Sequence, residues 1–302
     1  MSGMHRHRVK RRVPRGAIQL AAAALFNGYA AGFVRGGLYQ GPLKRACVPV
    51  LNCWSCPGAL GACPIGALQA ALGAPGRRRF PFYVLGTLML FGVALGRLAC
   101  GLLCPFGFVQ DLLYKIPVKK WRPPRRVDKP LRYVKYAVLA ALVALPLVLR
   151  PAFGGAPPYF CKYLCPAGTL EAGIPQVLLN PSLRGLAGAL FDWKVIVLVA
   201  LVALATKVGR PFCRYLCPLG ALYGLFNRFS LSRMALDQHK CVHCGACERA
   251  CPMQVDVTKA INSAECIRCG RCAGVCPVDA IRTPIFERKE KEDDKPIPEN
   301  AG

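Results

Sequence analysis

Apolar residues in this chain gather into four long stretches, Ala17 to Val34, Phe80 to Ala99, Tyr133 to Leu149 and roughly Leu186 to Thr206, separated by segments rich in Lys, Arg, Pro and Cys. A helix rises about 1.5 Å per residue, so each stretch is close to the length needed for the ~30 Å of hydrocarbon in a bilayer. Helices are the open-chain structures that satisfy their own backbone in lipid. The pattern therefore predicts an all-α membrane domain of four transmembrane helices over residues 17–236. Twenty Lys and Arg fall in segments 1–15, 100–132 and 207–240, against nine in 35–79 and 150–185. The positive-inside rule then makes this a multi-pass protein of the cytoplasmic membrane with both termini in the cytoplasm, although Arg77, Arg78 and Arg79 pull the other way.

The basic head, residues 1–16, precedes an apolar run longer than a signal-peptide core. A retained helix is favoured over a cleaved signal, despite the Arg11-Arg12 pair. Asp192 and Lys194 interrupt the fourth stretch beside Trp193 and read as an interfacial anchor, in preference to a quinone or proton site. Residues 287–302 form a charged tail expected to be disordered.

Composition supports a lipid bilayer partner, since 54% of the 302 residues are hydrophobic, above the range of ordinary soluble chains. The net charge of +26 counts thiols as neutral, and metal-bound thiolates would offset much of it. Arginines flank the apolar stretches instead of interleaving with aromatics, so no nucleic-acid partner is expected. Eighteen cysteines would suggest disulfides in a small secreted chain. Here all but Cys47 and Cys63 fall in C-x2-C or C-x3-C-P spacings, which points to ligation.

Residues 241–252 and 266–277 both read C-x2-C-x2-C-x3-C-P. Three cysteines two residues apart can wrap one cubane iron–sulfur cluster, while the fourth reaches the neighbouring cluster. Cys241, Cys244, Cys247 and Cys276 are thus assigned to one [4Fe-4S] cluster, and Cys266, Cys269, Cys272 and Cys251 to another. Zinc prefers two separated pairs or adds histidine; His239 and His243 read as solvent-facing loop residues. Residues 237–286 resemble two-cluster ferredoxins and are expected to fold as a small α+β domain.

Three further segments align without gaps: Gly96 to Gly107 (GRLACGLLCPFG), Pro157 to Gly168 (PPYFCKYLCPAG) and Gly209 to Gly220 (GRPFCRYLCPLG). Such repetition is a strong signal. Proline after the second cysteine makes Cys104, Cys165 and Cys217 helix-capping residues, placing their sulfurs where free backbone N–H groups favour an anion. On the four-span topology Cys100, Cys104, Cys213 and Cys217 meet on the cytoplasmic side as ligands of one further cluster. Cys161 and Cys165 fall on the outer side with Cys47, Cys53, Cys56 and Cys63, enough for another cluster with two thiols over, as a disulfide, unused ligands or part of a second site.

These motifs resemble the ferredoxin-type membrane subunit of periplasmic nitrate reductase systems, the C-terminal part of nitrous-oxide reductase regulators and the cytochrome oxidase assembly ferredoxin. The resemblance implies a membrane-bound polyferredoxin that relays electrons between a cytoplasmic donor, or the quinone pool, and a membrane or extracytoplasmic partner. A ferredoxin, a flavoprotein or a reductase subunit would serve as redox partner, with quinone as a candidate. The loop from Cys47 to Cys63 and the motif at Cys161 and Cys165 depart from the nitrate-reductase pattern. No catalytic acid, nucleophile or phosphate loop is apparent; the alternative is a reductive assembly or redox-sensing factor for a partner metalloenzyme. The four histidines all lie outside the apolar stretches, so bis-histidine haem is not expected to bridge the two faces.

Overall fold

The computed structural model describes residues 15–73, 81–145, 157–185 and 187–283 and is mostly helical, with two short strands. Among these residues one helix, Ala189–Lys207, is long and apolar enough to cross a membrane. The expected fold of four transmembrane helices is therefore corrected, and the multi-pass arrangement and its assignment of the termini lose their basis. Local sequence explains why.

The helix Arg15–Phe26 stops after 12 residues. Asn27 ends it, its backbone N–H and its side-chain amide both donating to the Ala23 carbonyl, while the Leu60 N–H takes the Phe26 carbonyl. Asn-Gly is a turn dipeptide, and helical structure resumes only at Ala31–Arg35. In the second stretch the helix Phe82–Ala94 has 13 residues, about 20 Å of rise. Gly96 closes it in the left-handed region at φ 54°, donating to the carbonyls of Phe91 and Gly92 as helix-ending glycines do. The third stretch is helical over Val134–Val138, then widens into a π-helical turn over Leu139–Ala144. Residues 146–149, the basic head up to residue 14, Arg77 to Arg79 and the charged tail lie outside the described residues.

Beside a smaller apolar core around Met234, Val257 and Cys272, the short helices pack around a large one. Cys47, Cys63, Cys100, Cys104, Cys165, Cys213 and Cys217 share it with Phe106, Phe160, Phe212, Tyr223, Met253 and Ile267. Ala189–Lys207 contributes Leu201 to this core and leaves Ile196 and Val199 about as exposed as surface residues, at 61% and 60%.

The stretch from Ala235 onward is closed by an antiparallel pair of strands, Ala235 opposite Arg282 and Leu236 opposite Ile281. It docks directly on the rest of the chain. Arg97 donates to the Ala264 carbonyl (2.7 Å), and both Arg97 and Lys135 pair with Glu265. Arg268 returns the contact to the carbonyls of Leu95 (3.0 Å) and Asn227 (2.7 Å), and the Asn227 amide donates to the carbonyls of Ser263 and Cys266. At the centre of the seam a Cβ on Gly101 would collide with the Ile267 carbonyl. Gly101→Ala should therefore cost about 1–3 kcal/mol, as overpacking does, and should raise hydrogen exchange across residues 241–282; unchanged exchange there would show the seam to be loose.

Candidate cluster-binding sites

Each capping cysteine of the repeat sits at the start of a helix. Cys104 precedes Pro105–Leu113 and its sulfur accepts from Gly107 N–H (3.4 Å). Cys217 precedes Pro218–Phe226 and accepts from Gly220 N–H (3.3 Å). Cys165 precedes Pro166–Gly168 and accepts from Gly168 N–H (3.4 Å). Proline at the first helical position leaves free N–H groups only beyond it, so the sulfur takes one of them.

The structure brings Cys100, Cys104, Cys213 and Cys217 together in the core, all buried. Burial, and the charges of the others in the set, push up the thiols of Cys104 and Cys217. Cys213 Sγ also accepts from the Gln110 amide at 3.2 Å. Two fully buried arginines flank this set. Arg97 donates to the Cys213 carbonyl (2.8 Å) and Arg210 to the Cys100 carbonyl (2.5 Å). Arg210 is held in turn by Asp111, at 3.1 Å from Nε and 2.6 Å from Nη2.

The other six thiols also come together. Cys47, Cys53, Cys63, Cys161 and Cys165 line a cavity of about 710 Å³ with Lys44, Lys194 and Gln176. Cys56 is buried beside them, its N–H donating to the Cys53 carbonyl (3.0 Å). Cys161 donates to Gln69 Oε1 (3.4 Å), and Glu171 accepts from Cys53 N–H (2.8 Å). Lys194, read as half of an interfacial pair, lines this cavity instead, while Asp192 stays exposed.

In the ferredoxin-like stretch Cys241, Cys244, Cys247 and Cys276 line one small cavity, and Cys251, Cys266, Cys269 and Cys272 another. The two loops are built alike. His243 and Arg268 have φ near 50°, and Gly245 and Gly270 lie at 70° and 73°; Gln254 and Asp279, three residues after each closing cysteine, are also at 50°. Left-handed positions in non-glycine residues mark backbone held by its surroundings. Here backbone N–H groups reach sulfur: Val255 to Cys251 (3.4 Å), Arg268 to Cys266 (3.4 Å) and Ala280 to Cys276 (3.3 Å). His239 and His243 are exposed.

All eighteen cysteines are free thiols, so no disulfide occupies the two over. Among the described residues no three His, Cys, Asp or Glu side chains close on one point as a single-ion site; the ferredoxin-like cysteines and five of the other six line cavities, and Cys100, Cys104, Cys213 and Cys217 share the buried core. Soft thiolates gathered in these sets, with N–H donors at sulfur and buried guanidiniums to balance charge, suit [4Fe-4S] clusters. Cys241, Cys244, Cys247 and Cys276; Cys251, Cys266, Cys269 and Cys272; and Cys100, Cys104, Cys213 and Cys217 would each hold one, with the six-thiol cavity as a further site.

The arginines are what sequence reasoning missed. Gly96-Arg97 and Gly209-Arg210 stand at the same place in the repeat, three residues before its first cysteine, while the Pro157 copy lacks them. That coincidence was the available signal. Arg214 and Arg268 are buried near the ferredoxin-like cysteines in the same way, so part of the basic charge lies in the core and not in topology-setting loops.

The chain matches the 4Fe-4S binding domain family at residues 61–83, 81–124, 133–177 and 191–235. Two further 4Fe-4S binding domain families match at 234–255 and 259–282. An uncharacterized protein of Methanocaldococcus jannaschii is 33% identical over 173 residues, 55% of this chain and 56% of that protein. The methylamine utilization ferredoxin-type protein MauN of Paracoccus denitrificans is 31% identical over 159 residues, 52% of this chain and 48% of that one. The regulatory protein NosR of Pseudomonas aeruginosa is 27% identical over 180 residues, 57% of this chain and 22% of that one. The chain thus spans about half the length of these relatives, or less. No solved structure matches.

Proposed function

Because this chain belongs to the 4Fe-4S binding domain family and is a ferredoxin-type iron–sulfur electron-transport protein, we propose that it is a membrane-attached relay with four cluster sites in one folded unit. The observation that carries this reading is their succession. Cys244 lies exposed at one end. The loop holding Cys266 and Cys269 presses its Ile267 carbonyl and Cys269 N–H against Gly101, next to Cys100. The Cys100 set in turn shares its core with the thiols of the 710 Å³ cavity.

A bound [4Fe-4S] cluster supplies reversible one-electron storage. The chain fixes the thiols at helix starts, donates N–H groups to sulfur, supplies compensating guanidinium charge and keeps water out of the core. A soluble redox protein would meet the exposed loop at Val242 to Cys244, and Ala189–Lys207, apolar and mostly uncovered, would hold the protein to a membrane. The chain should then stay with membranes through a carbonate wash; release into the soluble fraction contradicts that attachment.

Cys244→Ser tests the order of the sites. With a protein donor, reduction of the remaining centres should lose most of its rate, whereas small dithionite should reduce them as fast as before. Equal loss with both donors, or with neither, would show that the exposed site is not the entry point.

A further inference from the structure

Tyr223 lies on the Pro218–Phe226 helix that Cys217 caps. It is fully buried, at 0% exposure, and its hydroxyl has no hydrogen-bond partner among the described residues. Buried tyrosine hydroxyls find a partner as a rule; Tyr215, at the end of the preceding helix Pro211–Tyr215, has one in Asp128 at 2.8 Å. Tyr223 belongs to the core that contains both interior thiol sets. Its hydroxyl lies within the field of Cys100 and Cys217 from one set and of Cys63 and Cys47 from the other. Tyr223 does not line the large cavity and shares a helix with Cys217 of the Cys100 set, where cluster and thiolate sulfurs would offer the missing acceptor.

We propose that Tyr223 is a positioning and tuning residue, its hydroxyl donating a hydrogen bond to the cluster held by Cys100, Cys104, Cys213 and Cys217. This rests on the reading that those four cysteines hold a cluster. A tyrosine hydroxyl carries its proton at neutral pH, so the group serves as a donor. Hydrogen bonds to the sulfurs help set the potential of such a cluster, and a donor to its more negative, reduced form raises it. The position between the two interior thiol sets would make this cluster the easier one to reduce and direct the electron inward.

The test uses the full chain, purified without oxygen, as wild type and Tyr223→Phe. Phenylalanine keeps the ring and removes only the donor. In potentiometric titrations followed by electron paramagnetic resonance, one midpoint should fall by about 59 mV, a tenfold change in a one-electron equilibrium, with iron content and the other midpoints unchanged. Pulsed resonance of the wild type after exchange into deuterium oxide should show a coupled exchangeable deuteron on that centre, absent from the variant. The backbone donors at Gly107 and Gly220 stay in both proteins as reference. Full iron with unmoved midpoints overturns the proposal, as does a wild type without that coupling, even if the variant loses its cluster. Wild-type iron limited to the ferredoxin-like sites would instead overturn the underlying assignment and the tyrosine's role with it.

Discussion

Cys104→Ser and Cys217→Ser are each expected to remove about four irons and one redox-active signal, leaving the centres at Cys241 to Cys276 in place. Each of these cysteines does two jobs. It caps a helix by accepting from the N–H three residues on, at 3.4 Å for Cys104 and 3.3 Å for Cys217, and it offers a soft thiolate to iron. Serine is among the best capping residues but a poor substitute for a soft ligand, so the substitution separates the two. Helix content should persist while the iron goes. Loss of fold together with the iron would mean that the sulfurs serve packing, and full retention of iron would remove these thiols from the ligand set.

Asp111→Asn should destabilise the protein by about 3–5 kcal/mol, the usual result of leaving a buried charge without its partner. Asp111 faces Arg210, which is 0% exposed, as well as Arg15 and the more distant Arg271. Burial alone would raise its carboxyl, but Arg210 first, then Arg15 and Arg271, bring it down to about 2. A carboxyl lower in the folded state than in the unfolded chain, at about 3.9, contributes stability that is fully present above pH ~4 and fades as the pH falls toward 2. Acid unfolding of the wild type should show that loss, and the asparagine variant should show less of it. Equal acid sensitivity in both, with little change in stability, would show that Arg210 finds its charge balance elsewhere.

What the sequence carried best was the placement of the sulfurs. Spacing alone grouped Cys276 with Cys241, Cys244 and Cys247, and Cys251 with the second loop, and the structure places each group around one cavity. The gapless repeat likewise pointed to Cys104, Cys165 and Cys217 as helix caps, because a proline after the residue constrains the backbone locally. Hydropathy misled for a physical reason. A count of apolar residues does not register local helix ends, so runs broken by Asn27-Gly28 and by Gly96 still looked continuous. Charge misled too: Arg210 was counted as a loop residue that sets topology and Arg97 was passed over inside an apolar stretch, whereas the fold buries both beside the thiols. Partners such as Asp111 with Arg210, or Glu265 with Arg97 and Lys135, join segments far apart in the chain and leave no local pattern to read.

The central claim is that the interior thiols hold clusters as the ferredoxin-like loops do. The direct measurement is iron and acid-labile sulfide per chain in anaerobically purified full-length protein, read beside its resonance spectrum during stepwise reduction. About sixteen irons, with signals beyond those of a two-cluster ferredoxin, is the predicted result. About eight irons and ferredoxin signals alone would contradict it, leaving Cys100, Cys104, Cys213 and Cys217 as packing residues beneath a tethered ferredoxin.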